Sequence, residues 1–158
     1  MNSTIAIAPV RKTLRVKVPP PKAFEVFTAS MERWWPKSHS VNKSPIERIV
    51  IEPRIGGRWF ERGEDGTECQ WGRVLAWEPP RRLLLAWQLT AQWQFDPAFM
   101  TEVEVCFIAE GDGTRVEFEH RNLERYGETA DSIRQSIGSD EGWPGILLSF
   151  AQAVDAGG

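Results

Sequence analysis

The feature that most limits how this chain folds is a two-residue alternation that recurs in segments separated by turn signals. Val103, Val105 and Phe107 alternate with Glu102 and Glu104, and Val116, Phe118 and His120 alternate with Arg115, Glu117 and Glu119. Such a period places one set of side chains on each face of a strand. Asp112-Gly113 lies between the two runs and reads as a hairpin turn. Pairing Val105 with Phe118 brings the apolar sets together and puts His120 opposite Val103. The reverse face then carries opposite charges in cross-strand positions and reads as solvated.

The same rule applies upstream. Pro79-Pro80 separates a strand over Glu68–Trp77 from one over Arg82–Leu89, and Asp65-Gly66 separates Arg58–Arg62 from Glu68. Pairing Leu75 with Leu85 keeps the bulky residues on one face, with Trp71 opposite Leu89 and Arg73 opposite Trp87. Extending the face through the Asp65-Gly66 hairpin pairs Trp59 with Trp71 and Glu61 with Cys69. The expected inner face holds Trp59, Trp71, Trp77 and Trp87, interrupted by Glu61, Arg73 and Cys69. A buried lone charge is costly, so Glu61 and Arg73 must be paired or wet. Either the face is displaced by one residue or lies at a solvated sheet end, or the two form an ion pair that orients a polar ligand group in a hydrated pocket.

Further strands are expected over Thr13–Val18, Ile46–Ile51 and Phe99–Ala109. After the first strand, Pro21 starts a helix carrying Phe24 and Phe27 on one face, and Ser30 caps a second short helix through Trp35. A helical stretch over Glu128–Ile137 precedes a final helix capped by Ser139 or Asp140, with Ile146, Leu147, Phe150 and Val154 on one face. Consecutive hairpins followed by a long helix make a two-layer α+β domain with an antiparallel meander. One domain is expected over residues 1–158, with its core over 10–154.

Aromatic usage is lopsided: eight Trp and eight Phe accompany one Tyr. A net charge of −3 argues against a broad nucleic-acid-binding face. The apolar stretch Ile5-Ala6-Ile7-Ala8 is too short for a secretory signal, and Leu83–Trp87 is too short for a membrane span. A cytoplasmic protein is the expectation. Cys69 and Cys106 lack metal-type spacing, and the two histidines, His39 and His120, do not make a histidine-rich metal site. No metal and no cofactor is expected. Cys69 is a poor nucleophile candidate, because a neighbouring Glu61 raises its pKa.

The runs Val18-Pro19-Pro20-Pro21-Lys22-Ala23-Phe24-Glu25-Val26-Phe27, Arg33-Trp34-Trp35-Pro36, Ile55-Gly56-Gly57-Arg58-Trp59, Gly72-Arg73-Val74-Leu75-Ala76-Trp77-Glu78-Pro79-Pro80 and Gly142-Trp143 occur in that order. In them the chain resembles the START/SRPBCC (Bet v 1-like) superfamily, in the branch named after the activator of heat-shock protein 90 ATPase. The resemblance spans about Val10 to Val154. It implies a helix-grip fold: a curved antiparallel sheet wrapped on a long C-terminal helix, two short helices after the first strand, and a hydrophobic cavity between sheet and helix. It implies no particular reaction. The activators that named the family carry a separate chaperone-binding domain with no counterpart in these residues, so chaperone binding is not expected.

The candidate ligand-contacting set is Trp34, Trp35, His39, Trp59, Glu61, Trp71, Arg73, Trp87, Val103 and His120. His120 reads first as a hydrogen-bonded core histidine and second as a base at the cavity wall. His39 lies in a loop that the resemblance places near the cavity mouth. Adjacent Trp34 and Trp35 point about 100° apart on a helix, so only one faces the cavity. The leading expectation is binding of a small hydrophobic or aromatic molecule. A cyclase, dehydratase or hydrolase using polar residues of the same cavity is the alternative. A chaperone-associated or stress-response interaction protein is a third, disfavoured by the charged outer face. A homodimer stays open.

Overall fold

The computed structural model describes residues 7–156. The first part of the Ile5–Ala8 stretch and Gly157-Gly158 lie outside the described residues; of the tail expected to fray, Asp155–Gly158, Asp155 instead ends the last helix and its carboxylate accepts the Lys17 N–H (2.8 Å). Seven strands, β1 (Val10–Val16), β2 (Ile46–Ile51), β3 (Arg58–Gly63), β4 (Glu68–Glu78), β5 (Arg82–Trp87), β6 (Thr101–Glu110) and β7 (Gly113–Arg121), form one antiparallel sheet. Its order is β1-β7-β6-β5-β4-β3-β2. Helices α1 (Pro20–Ala29), α2 (Ala130–Ile137) and α3 (Trp143–Asp155) complete it. The sheet packs on α3, the α+β helix-grip arrangement.

Proline starts α1 as expected, with Pro20 and Pro21 in its first turn, where a missing N–H costs nothing. Its buried face sends Phe24 against Phe107 (ring centroids 5.2 Å) and Phe27 against Phe150 of α3 (5.3 Å). The helix expected over Ser30–Trp35 is only a 3₁₀ turn, Met31–Arg33, and Ser30 makes no side-chain cap. Neither Ser139 nor Asp140 caps α3. Gly142 occupies that position without a side-chain hydrogen bond, and Pro144 lies in the first turn.

The β6–β7 register is the expected one, with Val105 opposite Phe118 and Val103 opposite His120. The turn is displaced by one residue: Glu110 pairs with Gly113, so Gly111-Asp112 forms the bend, with Gly111 at φ 60°. The outer face carries the expected charges. Arg121 bonds Glu102, Glu104 and Glu119, and Arg82 bonds Glu104.

The β4 registers differ from expectation. Trp59 faces Gly72, not Trp71, and Gly72 in turn faces Trp87. Val74, not Leu75, faces Leu85, and Arg73 faces Ala86 instead of Trp87. Two bulges cause this, one opposite Trp59/Phe60 and one between Val74 and Ala76. A bulge inserts one residue and turns the following side chains to the other face. The first sends Arg73 outward, where it is exposed, and the second brings Trp77 back inward against Phe24 (5.1 Å). Glu61 opposite Cys69 is as expected.

Gly72 sits between two indoles. Trp59 and Trp87 meet edge to face across it (5.7 Å, 67°). A Cβ at position 72 stands 1.7 Å from the Ala86 carbonyl oxygen, so only glycine fits between these strands.

Candidate functional site

The inner end of the sheet and the start of α3 enclose a cavity of about 300 Å³. Four buried indoles form its wall: Trp35 after the 3₁₀ turn, Trp71 on β4, Trp87 on β5 and Trp143 at the start of α3. They touch in series: Trp71–Trp35 at 4.9 Å, Trp35–Trp143 at 5.6 Å and Trp143–Trp87 at 5.7 Å between centroids. Their edge-to-face and tilted packing is the arrangement aromatic quadrupoles favour.

All four wall indoles direct their N–H into protein. Trp35 donates to the His39 carbonyl (3.0 Å), Trp71 to Glu61 (2.9 Å), Trp87 to the Tyr126 hydroxyl (3.0 Å) and Trp143 to His120 Nδ1 (3.0 Å). An indole has a single donor, so what remains for a ligand is ring carbon. Polar groups gather at the exposed rim instead: Ser38, His39, Ser136, Ser139 and Glu141. Trp93 lies at the mouth, 6.3 Å from Trp87, in the left-handed region at φ 60°.

Glu61 is fully buried on β3, and no cation among the described residues pairs with it. Its carboxylate accepts from the Ser40 hydroxyl, the Val41 N–H (2.8 Å) and Trp71 Nε1 (2.9 Å). Arg73 lies on the opposite face, so the expected Glu61–Arg73 ion pair is not formed. Glu61 instead ties the loop before β2 to the wall. Burial, with Glu61 nearby, pushes the Cys69 thiol up, as expected.

His120 is wholly buried behind the wall. Trp143 donates to Nδ1, so the proton of the neutral ring sits on Nε2 and is given to Thr101 Oγ1 at 2.8 Å. The Thr101 hydroxyl points on to the Trp87 carbonyl at 3.4 Å. Burial lowers the His120 pKa from 6.5 to about 3. Both ring nitrogens are engaged and neither reaches the cavity, which is the core-histidine reading. Tyr126 takes the Trp87 N–H and donates to the Leu89 carbonyl (2.7 Å), and burial pushes its pKa up to about 12.

Of the ten expected residues, Trp35, His39, Trp71 and Trp87 line the cavity. Trp34 packs beneath it, donating to the Val26 carbonyl at 3.2 Å. Trp59, Glu61, Val103 and His120 form a buried layer behind, and Arg73 is outside. Sequence reasoning missed Trp143 and Ile146, although they share the helical face of Phe150. It also missed Trp93 and the rim serines, which lie in connections where alternation carries no signal.

The sequence model for Activator of Hsp90 ATPase homolog 1-like protein matches residues 17–155. Among solved structures, the chain is 39% identical to an anthrahydroquino-γ-pyrone synthase, Txn09, covering 93% of this chain and 97% of that one at TM-score 0.66. It is 34% identical to CalC, a self-sacrificing resistance protein from Micromonospora echinospora, covering 95% and 96% at TM-score 0.72. The Aha1 dimer from Colwellia psychrerythraea shares the fold at 18% identity, 96% and 98% coverage and TM-score 0.65. No curated protein matches the chain. The motif order, the helix-grip architecture and a match across nearly the whole length agree: this chain belongs to the Activator of Hsp90 ATPase homolog 1-like family of the START/SRPBCC superfamily.

Proposed function

We propose that the cavity binds a flat aromatic small molecule. The observation that carries this reading is the wall of four indoles whose N–H groups are all engaged elsewhere. Such a wall rewards ring stacking and apolar contact and offers nothing to a polar solute. The exposed rim supplies hydroxyl, imidazole and carboxylate groups for substituents at the edge of the ring system. A cavity of about 300 Å³ stands at the small end of ligand sites, which suits two or three fused rings better than a long lipid.

Titration with 1,8-dihydroxyanthraquinone, followed by indole fluorescence, tests it. Saturable quenching is expected, lost when Ser136→Trp fills the opening. A flat titration up to the solubility limit refutes the reading.

A second reading is favoured by the 39% identity to a pyrone synthase over almost the entire chain. In it the bound aromatic is not only held but closed into a further ring. The wall orients the ring system, and proton transfer is supplied from the rim.

A further inference from the structure

The chain has two histidines, and the structure treats them oppositely. His120 is sealed in the core with both nitrogens committed. His39 is exposed and lines the cavity. Its Nε2 lies 2.7 Å from the Glu141 carbonyl, and its Nδ1 lies 3.0 Å from Ser38 Oγ. A carbonyl oxygen only accepts, so Nε2 carries the proton of the neutral ring. Nδ1 is therefore the acceptor, and the Ser38 hydroxyl donates to it. Ser38 also lines the cavity. A hydroxyl, an imidazole and a third group that fixes the ring recur wherever a hydroxyl proton is mobilised. When the ring takes a second proton, its bond to the Glu141 carbonyl becomes charge-assisted and strengthens.

We propose that Ser38 and His39 form a proton-transfer couple at the cavity rim, acting on a phenolic hydroxyl of an aryl 1,3-diketone held against the indole wall. This rests on the ligand reading of the cavity and, for the substrate class, on the ring-closure reading favoured by the similarity to a γ-pyrone synthase. The phenolic proton passes to Ser38 Oγ as the Ser38 proton passes to His39 Nδ1. The phenolate oxygen forms a C–O bond to the distal ketone carbon, and the ketone oxygen recovers a proton through the same couple in reverse. Loss of that hydroxyl, with a proton from the adjacent carbon, releases water and leaves a γ-pyrone ring. No oxidant or reductant is required.

The probe is 1-(2-hydroxyphenyl)butane-1,3-dione, whose closure to 2-methylchromone and water is followed by absorbance. The wild-type protein is expected to accelerate closure over buffer by about 10²-fold or more, the usual scale of positioned acid–base catalysis. His39→Gln is expected to return the rate to near that of buffer and Ser38→Ala to lower it substantially, with thermal midpoints of both variants showing that they fold. Dihydroxyanthraquinone is expected to inhibit closure competitively. A wild-type rate equal to buffer, or one unchanged in His39→Gln, overturns the proposal. So does a rate that dihydroxyanthraquinone fails to inhibit. If the anthraquinone quenches the wild-type indoles but closure is absent, the binding reading stands and the couple falls. A flat anthraquinone titration removes the binding reading itself.

Discussion

Lowering the pH from 7.5 to 5 is expected to destabilise this protein through His120. In the unfolded chain the imidazole takes a proton near pH 6.5, whereas in the fold it resists protonation down to about 3. The cause is burial, reinforced by geometry, because a proton on Nδ1 faces the Trp143 N–H head-on. Below pH 6.5 the unfolded state therefore binds a proton that the native state does not. Stability is full above that pH and falls as the pH drops towards 3. Linkage between those two values gives a loss of about 2 kcal/mol at pH 5. For a chain of this size, that lowers the thermal midpoint by about 4–8 °C. Glu104 and Glu119 on the outer face are held below the usual carboxylate range by their arginine partners, so they titrate beneath this window. Urea unfolding at half-unit intervals between pH 7.5 and 5 measures the slope. The same series on His120→Gln is expected to be much flatter in that range. A flat wild-type profile, or an equal slope in the variant, refutes the reasoning.

Three further outcomes are expected. Glu61→Leu leaves the Val41 N–H, the Trp71 indole N–H and the Ser40 hydroxyl without their shared acceptor, and urea unfolding is expected to show a loss of about 3 kcal/mol. Gly72→Ala drives a methyl into the Ala86 carbonyl and is expected to cost about 4 kcal/mol or more, read as insoluble expression or a collapsed midpoint. Trp93→Gly relieves a left-handed backbone position worth about 1 kcal/mol, so its midpoint is expected not to fall while anthraquinone binding weakens with the loss of the ring at the mouth.

How much of this was legible in the sequence depended on where regular alternation held. Between β6 and β7 no bulge intervenes, so apolar matching alone set Val105 against Phe118 and placed His120 inward. In β4 two extra residues broke the period. Arg73 was therefore expected inside and lies outside, while Trp59 and Trp87 converge on a glycine that carries no hydrophobic signal. Motif order conveyed the architecture, because it marks turns and helix starts that many sequences of one family share. The rim was harder to see. Ser38, His39 and Glu141 meet across 102 residues of chain, through a hydrogen bond between a side chain and a backbone carbonyl. Nothing about the residue at position 141 announces that its carbonyl is the partner.

The contacts between indoles have an optical consequence. From Trp34 through Trp35, Trp71, Trp59 and Trp87 to Trp93 and Trp143, each ring centroid lies within 6.4 Å of another. At such separations the transition dipoles of neighbouring rings couple, which links seven of the eight tryptophans in one network. Excitation can pass between adjacent rings, so a molecule touching one wall indole is expected to quench its neighbours as well. The same coupling adds exciton bands to the far-ultraviolet circular dichroism, on top of the backbone signal. Trp77 stands outside this set of contacts and packs against Phe24 (5.1 Å).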